Sequence, residues 1–245
     1  MEMTAPEPGS SAAFLTTRWS MVASLSASEE PRARAALGEL CEQYWAPLYA
    51  FLRRRGLDPH EAADTVQGFF ARLLEKRDFG ELSAERGRFR SFLIAALRHH
   101  LSHERARAGA EKRGGAARVV SLEPDDADSR LHLPGASGLT PEQAYEREWA
   151  LSLLARALAH VQSEFLADGK AELFELLRPA LQEPELAGVA AMAARSGLSE
   201  GSIRVAASRL RKRYRETLRA LVRDTVESEG DVEAELGALF EALSR

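Results

Sequence analysis

Cys41 is the only cysteine in the 245-residue chain, so no disulfide can form within it, and a reducing compartment such as the cytosol suits it. No apolar run approaches the length that crosses a bilayer, which speaks against a membrane protein. The opening stretch, Met1 to Phe14, has neither a basic start nor an apolar centre, so no secretory signal is expected there. Period-2 alternation with β-branched enrichment is missing, and no internal repeat is visible; the expected fold is all-α. There is no Gly-rich phosphate loop closing on Gly-Lys-Ser/Thr and no G-x-S-x-G elbow. His99 and His103, four apart on one helical face, raise the question of a metal. The zinc pattern H-E-x-x-H fails, however, because His103-Glu104 is followed by Arg105-Ala106-Arg107, and cationic surroundings oppose a bound cation. Nothing specific points to an enzyme, and neither a metal nor a cofactor is expected.

What the chain does have is segregated charge. The net charge is only −4, yet basic residues crowd Arg86–Arg118 and Arg195–Arg223, and acidic ones crowd Glu123–Asp128 and Glu227–Glu241. Such segregation suits a protein that meets nucleic acid at two places.

Residues 1–13 are rich in Pro, Gly and Ser and read as a disordered tail. From Ala33 a helix places Leu37, Leu40, Cys41, Tyr44 and Trp45 on one side, and Pro47 is expected to break or restart it. The next helix ends at Arg53-Arg54-Arg55-Gly56, with cations at its negative end and Gly at the C′ position. Asp58-Pro59-His60-Glu61 is a capping box that opens a helix to about Arg77, and a further helix is expected from Arg88 to about Arg107. Residues 112–139 are polar and rich in Asp, Pro, Gly and Ser, so they read as a linker between two helical lobes, 14–111 and 140–224. Thr140-Pro141-Glu142-Gln143 is a second capping box, and a short helix is expected to end before Pro179. In the remaining segment, 225–245, Asp231 is placed to cap a last amphipathic helix carrying Leu236, Leu239, Phe240 and Leu243.

The most informative stretch is Leu186 to Arg215. It reads as two short helices joined at Gly197, with Ala193 small enough to let them cross closely and Leu198 and Ile203 as apolar plugs. Ser199 is a plausible N-cap for the second helix, Glu200 to Arg223, whose buried stripe is expected to be Ile203, Ala206, Leu210, Tyr214, Thr217, Leu218 and Leu221. This is the sequence shape of a helix-turn-helix. Its reading face comprises Glu200, Ser202, Arg204, Val205 and Ser208 toward base edges, with Arg209, Arg211 and Lys212 further on as phosphate grips, and Ser199 at its start is counted among the DNA-binding residues. The same basic helix also fits an ordinary bundle with a solvated face.

Three motifs now meet in one family. Ala63-Asp64-Thr65-Val66-Gln67-Gly68-Phe69-Phe70 resembles the A-x-D-L-V-Q-E/D-x-F segment of bacterial RNA polymerase sigma factors. Phe89-Arg90-Ser91-Phe92-Leu93 followed by Ala96-Leu97-Arg98 is similar to their F-R-x-W-L … I-A-R run. Ser199-Glu200-Gly201-Ser202-Ile203-Arg204 with Ser208-Arg209-Leu210-Arg211-Lys212 resembles the S-E-G-T-V-K … S-R-A-R-K signature of the helix that reads the −35 promoter element. Thr65, Gly68 and Phe92 stand where that family usually has Leu, an acidic residue and Trp, while His99 and His103 stand where Asn and Asp are common. In order and on either side of a linker, the three motifs resemble a two-lobe sigma factor of the extracytoplasmic-function type.

The resemblance implies several partners: core RNA polymerase, promoter DNA and, for many members, an anti-sigma factor. It implies polymerase docking on the helix after Asp58, with Arg54, Asp64, Gln67 and Arg72 as its polar parts; a solvated face is the alternative. For the parted −10 strand, an aromatic and cationic surface is required. Phe79, Arg86, Arg88, Phe89, Arg90, Phe92 and Arg98 supply those types, though Phe89 and Phe92, three apart, serve equally well as core. Two other readings stay open, a stand-alone helix-turn-helix regulator and a sigma-like decoy that binds an anti-sigma partner.

Overall fold

The computed structural model describes residues 30–76, 88–111, 138–183, 185–226 and 228–245, and the expected 1–13 tail and nearly all of the expected linker lie outside them. The fold is all-α, with no strand among the described residues. In chain order the helices are α1 (Glu30–Arg54), α2 (Pro59–Lys76), α3 (Phe89–Glu111), α4 (Pro141–Ala167), α5 (Ala171–Leu177), α6 (Val189–Ser196), α7 (Glu200–Arg223) and α8 (Val232–Ser244). Short 3-10 turns at Arg178–Leu181 and Glu229–Asp231 follow α5 and precede α8. None of the described helices is long and apolar enough to cross a membrane.

Local chemistry fixes the helix ends. Ahead of α2, the Asp58 N–H donates to Glu61 Oε2 at 3.1 Å and the Glu61 N–H to Asp58 Oδ1 at 2.8 Å. Ahead of α4, the Thr140 N–H donates to Gln143 Oε1 at 2.8 Å and the Gln143 N–H to Thr140 Oγ1 at 3.2 Å. Each box satisfies two backbone donors that the helix itself leaves open. Gly56, at φ +91°, turns the chain out of α1.

Pro47 neither breaks nor restarts its helix; α1 runs through it. A proline inside a helix costs about 3 kcal/mol. Here the helix is held on both sides of the ring by Tyr44, Leu48, Tyr49, Phe51 and Leu52, all fully buried. As expected, α5 ends before Pro179, which lies in the 3-10 turn Arg178–Leu181 that follows it. Asp231 makes no side-chain cap; its Oδ2 instead accepts from Ser228 Oγ at 2.7 Å, which closes the turn before α8.

Two cores organise the packing. The larger gathers Leu48, Phe51, Val66, Phe69, Leu93 and Leu97 of α1–α3 against Tyr145, Trp149 and Leu153 of α4, Leu218 and Val222 of α7, and Val232 and Leu239 of α8. The smaller joins Val161, Phe174, Leu177, Val189, Ile203, Ala207 and Leu210. The boundary between them does not coincide with residue 140. It crosses α4 and α7, each of which serves the larger core with one half and the smaller with the other, and Tyr214 touches both. The buried stripe of α7 is Ile203, Ala207, Leu210, Thr217, Leu218 and Val222, with Ala206, Tyr214 and Leu221 at its edges. Leu198 is exposed rather than a plug between helices, and Phe240 of α8 is 58 % exposed rather than part of the packed face.

Candidate nucleic-acid interface

The α6–α7 pair forms around Gly197, whose φ of +70° is a left-handed conformation that a side chain resists. Ser196 Oγ donates back to the Met192 carbonyl at 2.8 Å and so finishes α6. Two residues beyond the glycine, Ser199 Oγ accepts the Ser202 N–H at 3.1 Å and caps α7. Glu200 occupies the first turn, at the positive end of the helix dipole. Ile203, fully buried, anchors this end of α7 in the smaller core.

With that stripe turned inward, the opposite face of α7 is left to solvent. Ser199, Glu200, Ser202, Arg204, Val205, Ser208, Arg209 and Lys212 are all exposed there. Arg204 is held at 3.2 Å by Glu200, one turn back, and Lys212 lies 3.8 Å from Glu216. Such exposed pairs contribute little to stability. Arg211 departs from its expected place in the DNA-facing set. Its Nε donates to the Ala180 carbonyl at 2.7 Å and its Nη2 to the Glu183 carbonyl at 2.8 Å, so it clamps the turn after α5. Arg213 is similarly engaged, its Nε 2.8 Å from Glu164 Oε2, and the guanidinium holds the Glu164 carboxyl below its usual range. A groove of about 720 Å³ opens beside the first turns of α7, with Phe165, Leu173, Val205 and Ala206 as apolar lining and Lys170 and Arg209 as its cations.

The residues expected to meet a parted strand are arranged differently. Phe79 and Arg86 lie outside the described residues. Phe89 is 1 % exposed and sits edge-on to Tyr44 with ring centres 5.3 Å apart; it is core, not a base contact. Arg90, 4 % exposed, is also internal. It donates through Nε to Glu235 Oε1 at 2.7 Å and through Nη2 to Glu235 Oε2 at 3.2 Å, and it reaches Glu146 with Nη1 at 3.2 Å. Its guanidinium lies 4.5 Å from the Trp149 ring centre, and its carbonyl accepts the Tyr145 hydroxyl at 2.9 Å. Arg88 joins the same carboxylate, with Nε 2.9 Å from Glu235 Oε2. These two arginines are therefore tied to α8. Phe92 is half-buried beside Phe89, and Arg98, exposed, is bonded to Glu142 of α4.

Glu235, the carboxylate that engages Arg88 and Arg90, is a residue that sequence reasoning passed over. It is fully buried within the inward stripe of α8, alongside Val232, Leu239 and Ala242. A carboxylate at that register of an apolar helix face was the available signal, because a buried charge requires a partner.

Of the residues expected to dock polymerase, Asp64 is exposed and Gln67 half-buried on α2. Arg72 reaches across to α3, 3.4 Å from Glu104, and Arg54 is half-buried in the last turn of α1. His99 and His103 lie with ring centres 6.1 Å apart, and no group of three or more His, Cys, Asp or Glu side chains that could hold a metal occurs among the described residues. Burial, reinforced by Glu42, pushes the Cys41 thiol up to about 11, which disfavours the reactive thiolate. No family model, curated protein or solved structure matches the chain.

Proposed function

We propose that the chain is a sigma-type initiation factor that binds core RNA polymerase and directs it to promoters, reading duplex DNA with α7. One observation carries the proposal: a capped, 24-residue helix following a left-handed glycine turn, packed on one side and presenting Arg204, Arg209 and Lys212 unburied on the other. A helix fits the major groove in that presentation, and its first turns are the part that meets base edges. The ordered resemblance of Ala63–Phe70, Phe89–Arg98 and Ser199–Lys212 to sigma motifs supplies the polymerase half of the reading. Contact with a parted strand then rests on Phe92 and Arg98, together with Phe79 and Arg86.

The test is reconstitution with bacterial core polymerase on fragmented genomic DNA, followed by sequencing of the transcripts. Discrete start sites that vanish without the chain are the expected result; no core binding and no start sites overturn it. A second reading, a stand-alone helix-turn-helix regulator, draws support from Arg88 and Arg90 being engaged by Glu235 rather than free for single-stranded DNA. That reading expects tight duplex binding without polymerase and no effect of polymerase on the sites chosen.

A further inference from the structure

Val205 is the residue on α7 whose placement the helix itself does not explain. Residues on an α-helix advance about 100° each, so Val205 lies about 200° round the axis from Ile203. Ile203 is fully buried, whereas Val205, 51 % exposed, occupies the middle of the solvent side. A β-branched side chain there keeps half of its surface in solvent, at the mouth of the groove lined by Phe165 and Leu173, and is a poorer helix former than Ala. Its surroundings are specific. One turn earlier is Gly201, where an added Cβ would meet only Ser199 Oγ, at 3.9 Å, so the backbone beside Val205 is open to close approach. One turn later is Arg209, exposed and without an ion-pair partner among the described residues, unlike Arg204, Arg213 and Arg219 on the same helix. Ser202 and Ser208 flank it, both exposed.

A branched apolar side chain with exposed donors one turn away on its own helix is the complement of one major-groove feature. Thymine places a methyl group there, next to base-edge acceptors, and cytosine or a purine offers no such methyl. A phosphate grip has no use for Val205. We infer that Val205 reads the C5 methyl of a thymine and that Arg209, instead of the phosphate grip expected from its place along the helix, donates to a guanine on a neighbouring pair, a turn of helix (about 5.4 Å) spanning one to two base-pair steps of about 3.4 Å. This rests on the duplex-reading role of α7 proposed above and adds the base chemistry it selects.

The experiment uses the full chain, with and without bacterial core polymerase, to select duplexes from a randomised library; the enriched duplex is the probe. Each thymine is replaced in turn by deoxyuridine, which removes only the methyl. One position is expected to lose about fourfold in affinity, the worth of one buried methyl group. Val205→Ser, with helicity checked by circular dichroism, is expected to bind thymine and uracil equally at that position. Arg209→Ala is expected to relax a guanine preference one or two pairs away by about tenfold. If an enriched duplex shows no uracil-sensitive position, or if Val205→Ser keeps the same sensitivity, the inference is overturned while duplex binding stands. If no duplex is enriched under either condition, the duplex-reading role fails and the inference goes with it.

Discussion

At the scale of single residues, the decisive group is the Glu235 carboxylate, fully buried and facing two guanidiniums. Breaking a buried pair leaves a charge uncompensated and costs about 3–5 kcal/mol, whereas replacing both partners with apolar groups of similar volume is often neutral. Arg90→Ala is therefore expected to lose about 3 kcal/mol in urea unfolding, softened by the Arg88 that remains, and Arg90→Met with Glu235→Leu is expected to recover most of it. A single-variant loss below about 1 kcal/mol would assign the cluster to the surface class instead. His100 offers a second test. Burial holds its imidazole below its ordinary value, against the pull of Glu104 and with the help of Arg72 and His103. The folded chain thus binds fewer protons than the unfolded chain in the window just under pH about 6.5, so stability is level above that pH and declines as pH falls through it. His100→Gln is expected to flatten that decline in denaturant midpoints measured from pH 7 to 5. Glu142 and Glu164, which are both held low, contribute their losses only at more acid pH. Arg88 and Arg90 show why residue type misleads here. A basic residue next to aromatics suits a parted strand and a buried ion pair alike, and what separates the two is a carboxylate that lies, for Arg90, 145 residues away in sequence.

At the scale of elements, most boundaries were legible because short-range chemistry sets them. The two capping boxes, the glycines that follow α1 and α6, and the Ser199 cap all act within a few residues. Ser199→Ala is expected to cost about 1 kcal/mol through the lost cap. Gly197→Ala is expected to cost about 1–2 kcal/mol through left-handed strain alone, since no atom lies within 4 Å of an added Cβ. Both are read as shifts in the urea midpoint. What escaped the sequence was set at longer range. Pro47 stays in helix because the surrounding burial overrides a local preference, and Arg211 is claimed by carbonyls 28 and 31 residues upstream. The contrast between neighbouring arginines on α7 becomes a prediction. Arg211→Ala is expected to destabilise the chain by about 1–2 kcal/mol, because two carbonyls lose a charged donor. Arg209→Ala is expected to leave the melting midpoint within error while weakening duplex binding. Equal effects of the two on stability would place Arg209 among the structural residues.

At the scale of the whole molecule, α7, the helix proposed to read DNA, is also a structural beam. Ile203, Ala207 and Leu210 of α7 belong to the smaller core, and Leu218 and Val222 to the larger, with α4 doing the same through Val161 at one end and Trp149 at the other. Two continuous helices shared between cores leave no hinge where one unit can open without bending the other. The α8 segment strengthens the link, since it packs on both of those helices and sends Glu235 to α3. Amides near Phe174 and Leu210 are therefore expected to open, under native-state hydrogen exchange, with the same free energy as those near Leu93 and Trp149. Removing residues 228–245 takes away Val232, Leu239 and Ala242 from the larger core and the principal carboxylate from Arg90. That truncation is expected to lower the opening energy of both cores together, the smaller as well as the larger, although α8 contributes no residue to the smaller. Unequal energies in the intact chain, or a loss confined to the larger core after truncation, would mean that α4 and α7 yield at their midpoints and that the first half of α7 moves independently of the rest.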